Sequence, residues 1–421
     1  MLRAAHRILT THVGSLPRAP HVVEWLAKKE TGEPYDAAGF DRAMADAVRD
    51  VVARQRACGV DIVSDGEQSK PSYATYIKDR LTGFSGNSRA LRSADLEDFP
   101  GFFARLKAQS QARGGSIPLA RPCCTGPVAV KDRAPLEQDL RRFRAALGRA
   151  PGGATSNPRS GEPIGEPLGT TSSATLEARG GAQACNAFMN AASPGVIAVF
   201  QPDQHYHSHE LYLGALSDAM RDEYQAIVAA GFMLQIDCPD LAMGRHITFK
   251  HESDETFLRH AETQVEALNA ALEGIPADRL RMHLCWGNYE GPHHRDIPLD
   301  KLFGIVMKAK PQALLFEAAN PRHAHEWKVF AERKREIPDD KILIPGVISS
   351  TSNYIEHPEL IAERIERFAA IVGRERVMAG SDCGFSTFAG DGLVDPEICF
   401  AKLKVLAEGA AIASKRLWRP T

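Results

Sequence analysis

The chain of 421 residues has no apolar run of eighteen or more, so no membrane-spanning helix is expected. It has little net charge, −2 at pH 7, and so lacks the basic footprint of a nucleic-acid binder. No nucleic-acid or membrane partner is therefore expected. Its start, Met-Leu-Arg-Ala-Ala-His-Arg-Ile, lacks the long apolar core of a secretory signal. Cysteine is sparse, 8 residues scattered over a long chain. That argues against a disulfide framework and for reduced thiols or metal ligands in a cytoplasmic protein. No internal repeat is visible. What remains is ordinary globular material, 43% hydrophobic and 25% charged, long enough for one large core.

Short β-rich runs alternate with long amphipathic segments, the pattern of βα units around a parallel sheet. Runs at 8–13, 61–64, 118–123, 234–237, 281–285, 313–317, 342–347 and 377–380 read as strands. Eight is the number that closes a (β/α)8 barrel, which takes roughly 250 residues plus insertions. A ninth run, 187–191, reads as irregular or as part of an insertion. Helices are expected at 41–58, 216–230, 255–272, 358–372 and 396–413. In the first of these Met44, Ala47, Val48, Val51 and Val52 share one face. Residues 83–115 read as a helical excursion at the barrel's edge. The Gly-, Pro-, Ser- and Thr-rich stretch 151–181 offers too little apolar surface to offset its ordering entropy. It reads as a mobile loop without catalytic role within a single catalytic domain, 1–421.

Chemistry concentrates at the predicted strand ends. His283 and Cys285 lie two apart on a strand, so both project from one face. Cys383 follows another strand in Ala-Gly-Ser-Asp-Cys-Gly, and Glu317 closes a third in Ala-Leu-Leu-Phe-Glu. A closed parallel barrel brings all such ends to one rim. Two thiolates, one imidazole and a replaceable carboxylate form a set suited to Zn2+. The competing bland reading is that a lone cysteine after a strand is a small buried hydrophobe. Cys58 and Cys399 read as core, and Cys123, Cys124 and Cys238 as structural. The run from His205 to His209 is a rival metal candidate, though a solvated helix entry explains it equally well. His293 and His294 face the site or simply make a polar loop.

Further runs carry a resemblance. Thr-His-Val-Gly-Ser-Leu-Pro-Arg from Thr11, Asp-Gly-Glu from Asp65, Thr-Gly-Pro from Thr125 and Ile-Asp-Cys-Pro from Ile236 occur in order. They are followed by His-Leu-Cys from His283, Phe-Glu-Ala from Phe316, Pro-Gly-Val from Pro345 and Asp-Cys-Gly from Asp382. Together they resemble the catalytic barrel of cobalamin-independent methionine synthase. Three more runs are similar to the epoxyalkane:coenzyme M transferase (2-hydroxypropyl-coenzyme M lyase) branch of that family. They begin at Asn190 (Asn-Ala-Ala-Ser-Pro-Gly-Val-Ile), Cys285 (Cys-Trp-Gly-Asn-Tyr-Glu-Gly-Pro-His-His) and Glu317 (Glu-Ala-Ala-Asn-Pro-Arg-His).

The resemblance implies zinc ligands at His283, Cys285, Cys383 and Glu317, with thiol-substrate contacts from Gly14, Ser15, Glu67 and Asp237. In methionine synthases the two matching acids hold an ammonium group, which keeps homocysteine as a substrate. Two departures point away from a folate donor. The histidine expected after Pro-Gly-Val is replaced by Ile-Ser-Ser-Thr-Ser-Asn, with Thr351 near its place. No tryptophan follows Thr-Gly-Pro, where Val128-Ala-Val-Lys-Asp-Arg stands instead.

The expected reaction is attack of a zinc-activated coenzyme M thiolate on a short-chain epoxide, with Glu317 loosening as the sulfur arrives. Arg18, Lys70 and Arg322 lie beside motif residues and are candidates for the sulfonate, or for surface salt bridges. His205, His293 and Tyr73 are candidates to protonate the alkoxide. Rival expectations are methyl transfer to homocysteine, corrinoid-dependent methyl transfer to coenzyme M, and a non-catalytic or decarboxylase-like barrel. A homo-oligomer is compatible with the sequence, which does not fix the oligomeric state.

Overall fold

The computed structural model describes residues 5–89, 91–112, 115–148 and 187–419. The stretch 151–181 read as a mobile loop lies outside the described residues.

Eight parallel strands form the core sheet: β1 (Leu9–Thr10), β2 (Val63–Ser64), β3 (Ala187–Ala192), β4 (Met233–Asp237), β5 (Leu280–Leu284), β6 (Ala313–Phe316), β7 (Ile342–Ile348) and β8 (Met378–Ser381). Their order is β1-β8-β7-β6-β5-β4-β3-β2, so every strand lies beside its sequence neighbour. The two ends of that row meet where Ile62 N–H donates to the Thr10 carbonyl at 3.0 Å. This is the expected (β/α)8 barrel.

Its inside is filled by alternating residues. Val13, Ile62, Phe188, Met233, Leu315, Ile342, Ile344 and Met378 form one buried cluster, while the outward-facing residues pack under the helices. Arg281 is buried with them. It donates to Thr11 Oγ1 and the His12 carbonyl at 2.9 and 2.8 Å and lies over the Phe188 ring.

The expected helices are present: Ala37–Ala57, Asp254–Ala271, Pro358–Val372 and Pro396–Leu417 with small shifts at their ends, and His209–Ala229, which starts about two turns before the expected 216. Asp36 caps the first of these through the Ala38 N–H, and Met44, Val48, Val51 and Val52 are its buried stripe. One strand assignment changes. The run 118–123 is not in the barrel. Cys123–Cys124 pairs antiparallel with Phe84–Ser85 in a separate two-stranded ribbon. Pro118 and Pro122 deprive that run of the N–H donors a central strand needs. The eighth barrel strand is Ala187–Ala192, buried along its whole length and paired over five residues with β4. Its Ala and Asn content hid it, because strand propensity yields to burial.

The segment between β2 and β3 carries the excursion, with helices Ala94–Asp98 and Pro100–Ala112 beyond the ribbon. It lies over the C-terminal mouth of the barrel. Asp95 accepts from Tyr289 Oη and, at 3.0 Å, from His293 N–H. Asp98 meets His294 and Arg295 at 2.8 and 2.7 Å. Among the described residues no helix is long and apolar enough to cross a membrane.

Candidate active site

His283 ends β5 and Cys285 follows it, with Arg281 below on the same inward face. Cys383 stands two residues past β8. The three meet at the barrel mouth: Cys285 Sγ lies 2.9 Å from Cys383 Sγ, and Cys383 Sγ lies 3.4 Å from His283 Nε2. All three ligand atoms fall within 4.8 Å of one another, and this is the sole group of that kind among the described residues. The His205–His209 run is not such a group. His205 is exposed beside Tyr206, and His209 packs edge-on to Phe249 and His260.

The donors are deeply buried. The Cys383 hydrogen bond pulls the Cys285 thiol down, but burial and the Glu317 carboxylate outweigh it and push it up to about 11. Burial raises Cys383 well above the usual thiol range. Burial also lowers His283 to about 3, which keeps its imidazole neutral. A neutral imidazole beside two thiols that need a cation in order to ionise is a donor set that fits zinc.

Glu317 stands at the edge of this cluster, its Oε1 4.0 Å from Cys383 Sγ. Both its oxygens are held by the protein, Oε1 by Trp286 N–H at 2.8 Å and Oε2 by Asn320 Nδ2 at 2.6 Å. Neighbouring Asp382 fixes the same turn. Its carboxylate takes the N–H groups of Ala318, Ala319 and Asn320 at 2.8–2.9 Å. A Cβ on Gly346 would overlap Asp382, so the glycine of Pro-Gly-Val makes room for that clamp.

Above the cluster opens a cavity of about 290 Å³. Ser15, Glu67 and Asp237 line one side of it. Glu67 is held in the left-handed backbone region at φ 54°, which costs a side chain-bearing residue about 1 kcal/mol. Its Oε2 is buried and has no hydrogen-bond partner among the described residues. Burial, opposed by Lys70 and reinforced by Asp237, raises its carboxyl to about 8. Asp237 is raised to about 6 by burial although Asn190 and Gln235 each donate to it at 2.9 Å. Asn190 reaches that position because Gly14, at φ 142°, has no Cβ to exclude its amide.

Much of the remaining lining is apolar. Tyr73, Phe200 and Phe388 pack ring against ring, with Leu91, Leu96, Met243 and Ile247 around them. Leu91, Ser93 and Leu96 come from the excursion and Arg121 from the run that follows it, so this segment roofs the site.

The basic residues chosen from sequence lie elsewhere. Arg18 is buried and donates to the carbonyls of Ser386, Glu67 and Lys70 at 2.7–2.9 Å. Lys70 donates to the Asn190 carbonyl at 2.7 Å and sits over the Tyr76 ring. Neither lines this cavity. Arg322 and His293 line a second cavity, on the far side of Glu317. Both ring nitrogens of His293 are engaged, by Asp296 at 2.8 Å and the Tyr289 carbonyl at 3.0 Å. Arg121 is the one lysine or arginine on the wall of the first cavity. No motif marked it, and nothing but three-dimensional placement distinguishes it from other surface arginines.

Residues 8–94 match the family model of the cobalamin-independent synthase catalytic domain. A methionine synthase of Saccharolobus islandicus is 26% identical over 231 residues, 54% of this chain and 58% of that protein. The match thus spans little more than half the length of that relative. The 2-hydroxypropyl-CoM lyase of Xanthobacter autotrophicus is 23% identical over 97% of this chain and 96% of its own. A B12-independent methionine synthase from Shewanella sp. W3-18-1, solved in complex with selenomethionine, superposes with a TM-score of 0.67 at 18% identity, covering 98% of this chain and 99% of that one. In fold over almost its whole length, and in sequence over its first barrel strands, the chain is similar to the cobalamin-independent methionine synthases.

Proposed function

We propose that this chain is an enzyme that alkylates a small thiol, with zinc held by His283, Cys285 and Cys383 and with Glu317 as a displaceable neighbour. The observation that carries the reading is the convergence of these soft donors on the floor of a cavity large enough for two small reactants. When bound, zinc supplies the positive charge that keeps a substrate thiol deprotonated near neutral pH. The residues around it do the rest. Ser15, Glu67 and Asp237 flank the thiol, and Arg121 offers a guanidinium to an anionic tail. The aromatic wall excludes water from the reacting carbon.

The leading pair is coenzyme M and a short-chain epoxide, epoxypropane, giving a 2-hydroxypropyl thioether. Two features support it. The apolar wall suits an electrophile without a charged tail. Neither the histidine nor the tryptophan of a folate site occurs at the positions matching the motifs. The 2-hydroxypropyl-CoM lyase is similar over 97% of this chain, as is a methionine synthase of Sulfurisphaera tokodaii, both at 23% identity, so length of similarity leaves the two pairs level. Homocysteine is the second reading. It is favoured by the paired acids Glu67 and Asp237, which face the same cavity and suit an ammonium group.

The test is product analysis by mass spectrometry with zinc-loaded protein, offering coenzyme M or homocysteine against epoxypropane or methyl-folate. The expected product is 2-hydroxypropyl-coenzyme M, with zinc and product both lost in Cys383→Ala. Methylated homocysteine would replace the leading pair by the second. No thioether from any combination, or full zinc in Cys383→Ala, would remove the reading.

A further inference from the structure

Opening an epoxide leaves an alkoxide, and the reaction needs a proton donor beside the broken C–O bond. We propose that the Tyr73 hydroxyl is that donor, so that Tyr73 is a catalytic residue for electrophiles whose oxygen stays on the product. The inference rests on the thiol-alkylation reading and adds the acid that it lacks.

Three observations carry the assignment. First, Tyr73 lines the cavity that also exposes His283, Cys285 and Cys383, together with the apolar residues Phe200, Phe388 and Met243. Second, its ring is fixed. It meets Phe200 edge-on at 5.5 Å between centroids and Phe388 at 5.9 Å, so the hydroxyl has a defined direction. Third, the hydroxyl has no hydrogen-bond partner among the described residues and is left for a ligand. Burial keeps the phenol protonated in the free protein.

Glu67 and Asp237 face the same cavity and are assigned above to the thiol; the remaining donors fail on position or chemistry. His205 is exposed and outside the cavity. His293 lines the neighbouring cavity with both nitrogens engaged. Tyr289 gives its hydroxyl to Asp95. Ser15 and Thr387 line the same cavity, but an aliphatic hydroxyl is about as weak an acid as the product alcohol and gains nothing by transfer. A guanidinium does not give up a proton in proteins, which excludes arginine as the acid.

The step balances within these groups. The substrate thiol loses its proton on binding. Its sulfur attacks the unsubstituted epoxide carbon, forming the C–S bond as that carbon's bond to oxygen breaks. The oxygen keeps the electron pair and takes the phenol proton from Tyr73. The proton released from the thiol then restores the phenol through water.

The test compares two electrophiles on zinc-loaded enzyme with coenzyme M as the thiol. Epoxypropane yields an alkoxide, whereas iodoethane expels iodide and needs no acid. In Tyr73→Phe, which keeps the ring packing, the epoxide-to-iodoethane rate ratio is expected to fall about 100-fold. Zinc content and the circular dichroism spectrum serve as the folding control. Should the variant not fold, the wild type decides: deuterated water is expected to slow the epoxide reaction and not the iodoethane reaction. An unchanged ratio, or equal isotope effects on both reactions, overturns the assignment. A wild type that alkylates with iodoethane and never opens epoxypropane overturns it too, while leaving thiol activation intact. One that uses neither electrophile removes the thiol-alkylation reading itself.

Discussion

Single residues divide into those whose role follows from spacing and those whose role follows from folding alone. His283 and Cys285 belong to the first kind, because a strand's period of two sends both inward whatever the rest of the chain does. Glu67 and Asp237 were reached through their motifs, and the structure sets them on one wall. Arg121 belongs to the second kind. It sits in the run 118–123, which reads as a barrel strand in sequence, and it reaches the cavity because that run lies outside the barrel and the excursion folds back over it. Arg18 lies in a motif, and its guanidinium is engaged by carbonyls that tie the first two strand-end loops together. A charge-assisted hydrogen bond contributes about 1.5–3 kcal/mol, or roughly 10- to 100-fold in affinity. Arg121→Gln is therefore expected to raise KM for coenzyme M by that factor while leaving kcat within about twofold. The control is 2-mercaptoethanol, which has no sulfonate and whose KM is expected to stay put. Equal losses with both thiols would place Arg121 in the roof's structure rather than in substrate recognition.

At the level of elements, periodic helices were legible and one strand was not. The helix Pro358–Val372 falls where its pattern predicts because its buried stripe repeats at helical spacing. Residues 118–123 and 187–191 exchanged roles because short apolar runs carry no period. Prolines demoted the first, and full burial admitted a run of small residues as the second. The excursion was recognised as helical, but its destination was hidden. What brings it over the mouth is a set of contacts between residues almost two hundred positions apart, centred on Asp95. That carboxylate takes Tyr289 Oη, Ser93 Oγ and His293 N–H. The flanking pairs of Asp98 with His294 and Arg295 are more exposed and contribute little each. Asp95→Ala is thus expected to loosen the roof and spare the barrel. Hydrogen exchange should speed in Ala94–Asp98 and Pro100–Ala112 and stay slow in Ile342–Ile348. Protection that is unchanged in both helices would show that apolar packing, not Asp95, holds the excursion down.

Across the whole molecule, the barrel mouth gathers acids that burial keeps protonated. Glu67 is raised to about 8, Asp382 and Asp240 to about 7, and Asp237 to about 6, against roughly 4 in an unfolded chain. Between those values the folded chain holds protons that the unfolded chain has lost. By linkage, stability then falls as pH rises, by at most about 1.4 kcal/mol per pH unit for each proton so held. His323, buried against Asp296 and Glu326 and raised to about 10, acts in the same sense. Its contribution is complete below about 6.5 and is lost as pH climbs toward 10. The opposing groups include His12, His283 and His209, all lowered by burial, the first two to about 4 and 3. They cost stability only as pH drops below about 6.5, where the unfolded chain would protonate them. The window from pH 6.5 to 8 therefore isolates the acids and His323. In that window the urea midpoint of the metal-free chain is expected to fall as pH rises. Added zinc is expected to reverse the slope, because thiol ligands must lose protons and zinc affinity then grows with pH. A metal-free midpoint that is flat or climbs from pH 6.5 to 8 would mean that the rim carboxyls are already ionised in the fold. Such a rim would already carry the charge that an ammonium-bearing thiol needs, which would shift the balance toward homocysteine.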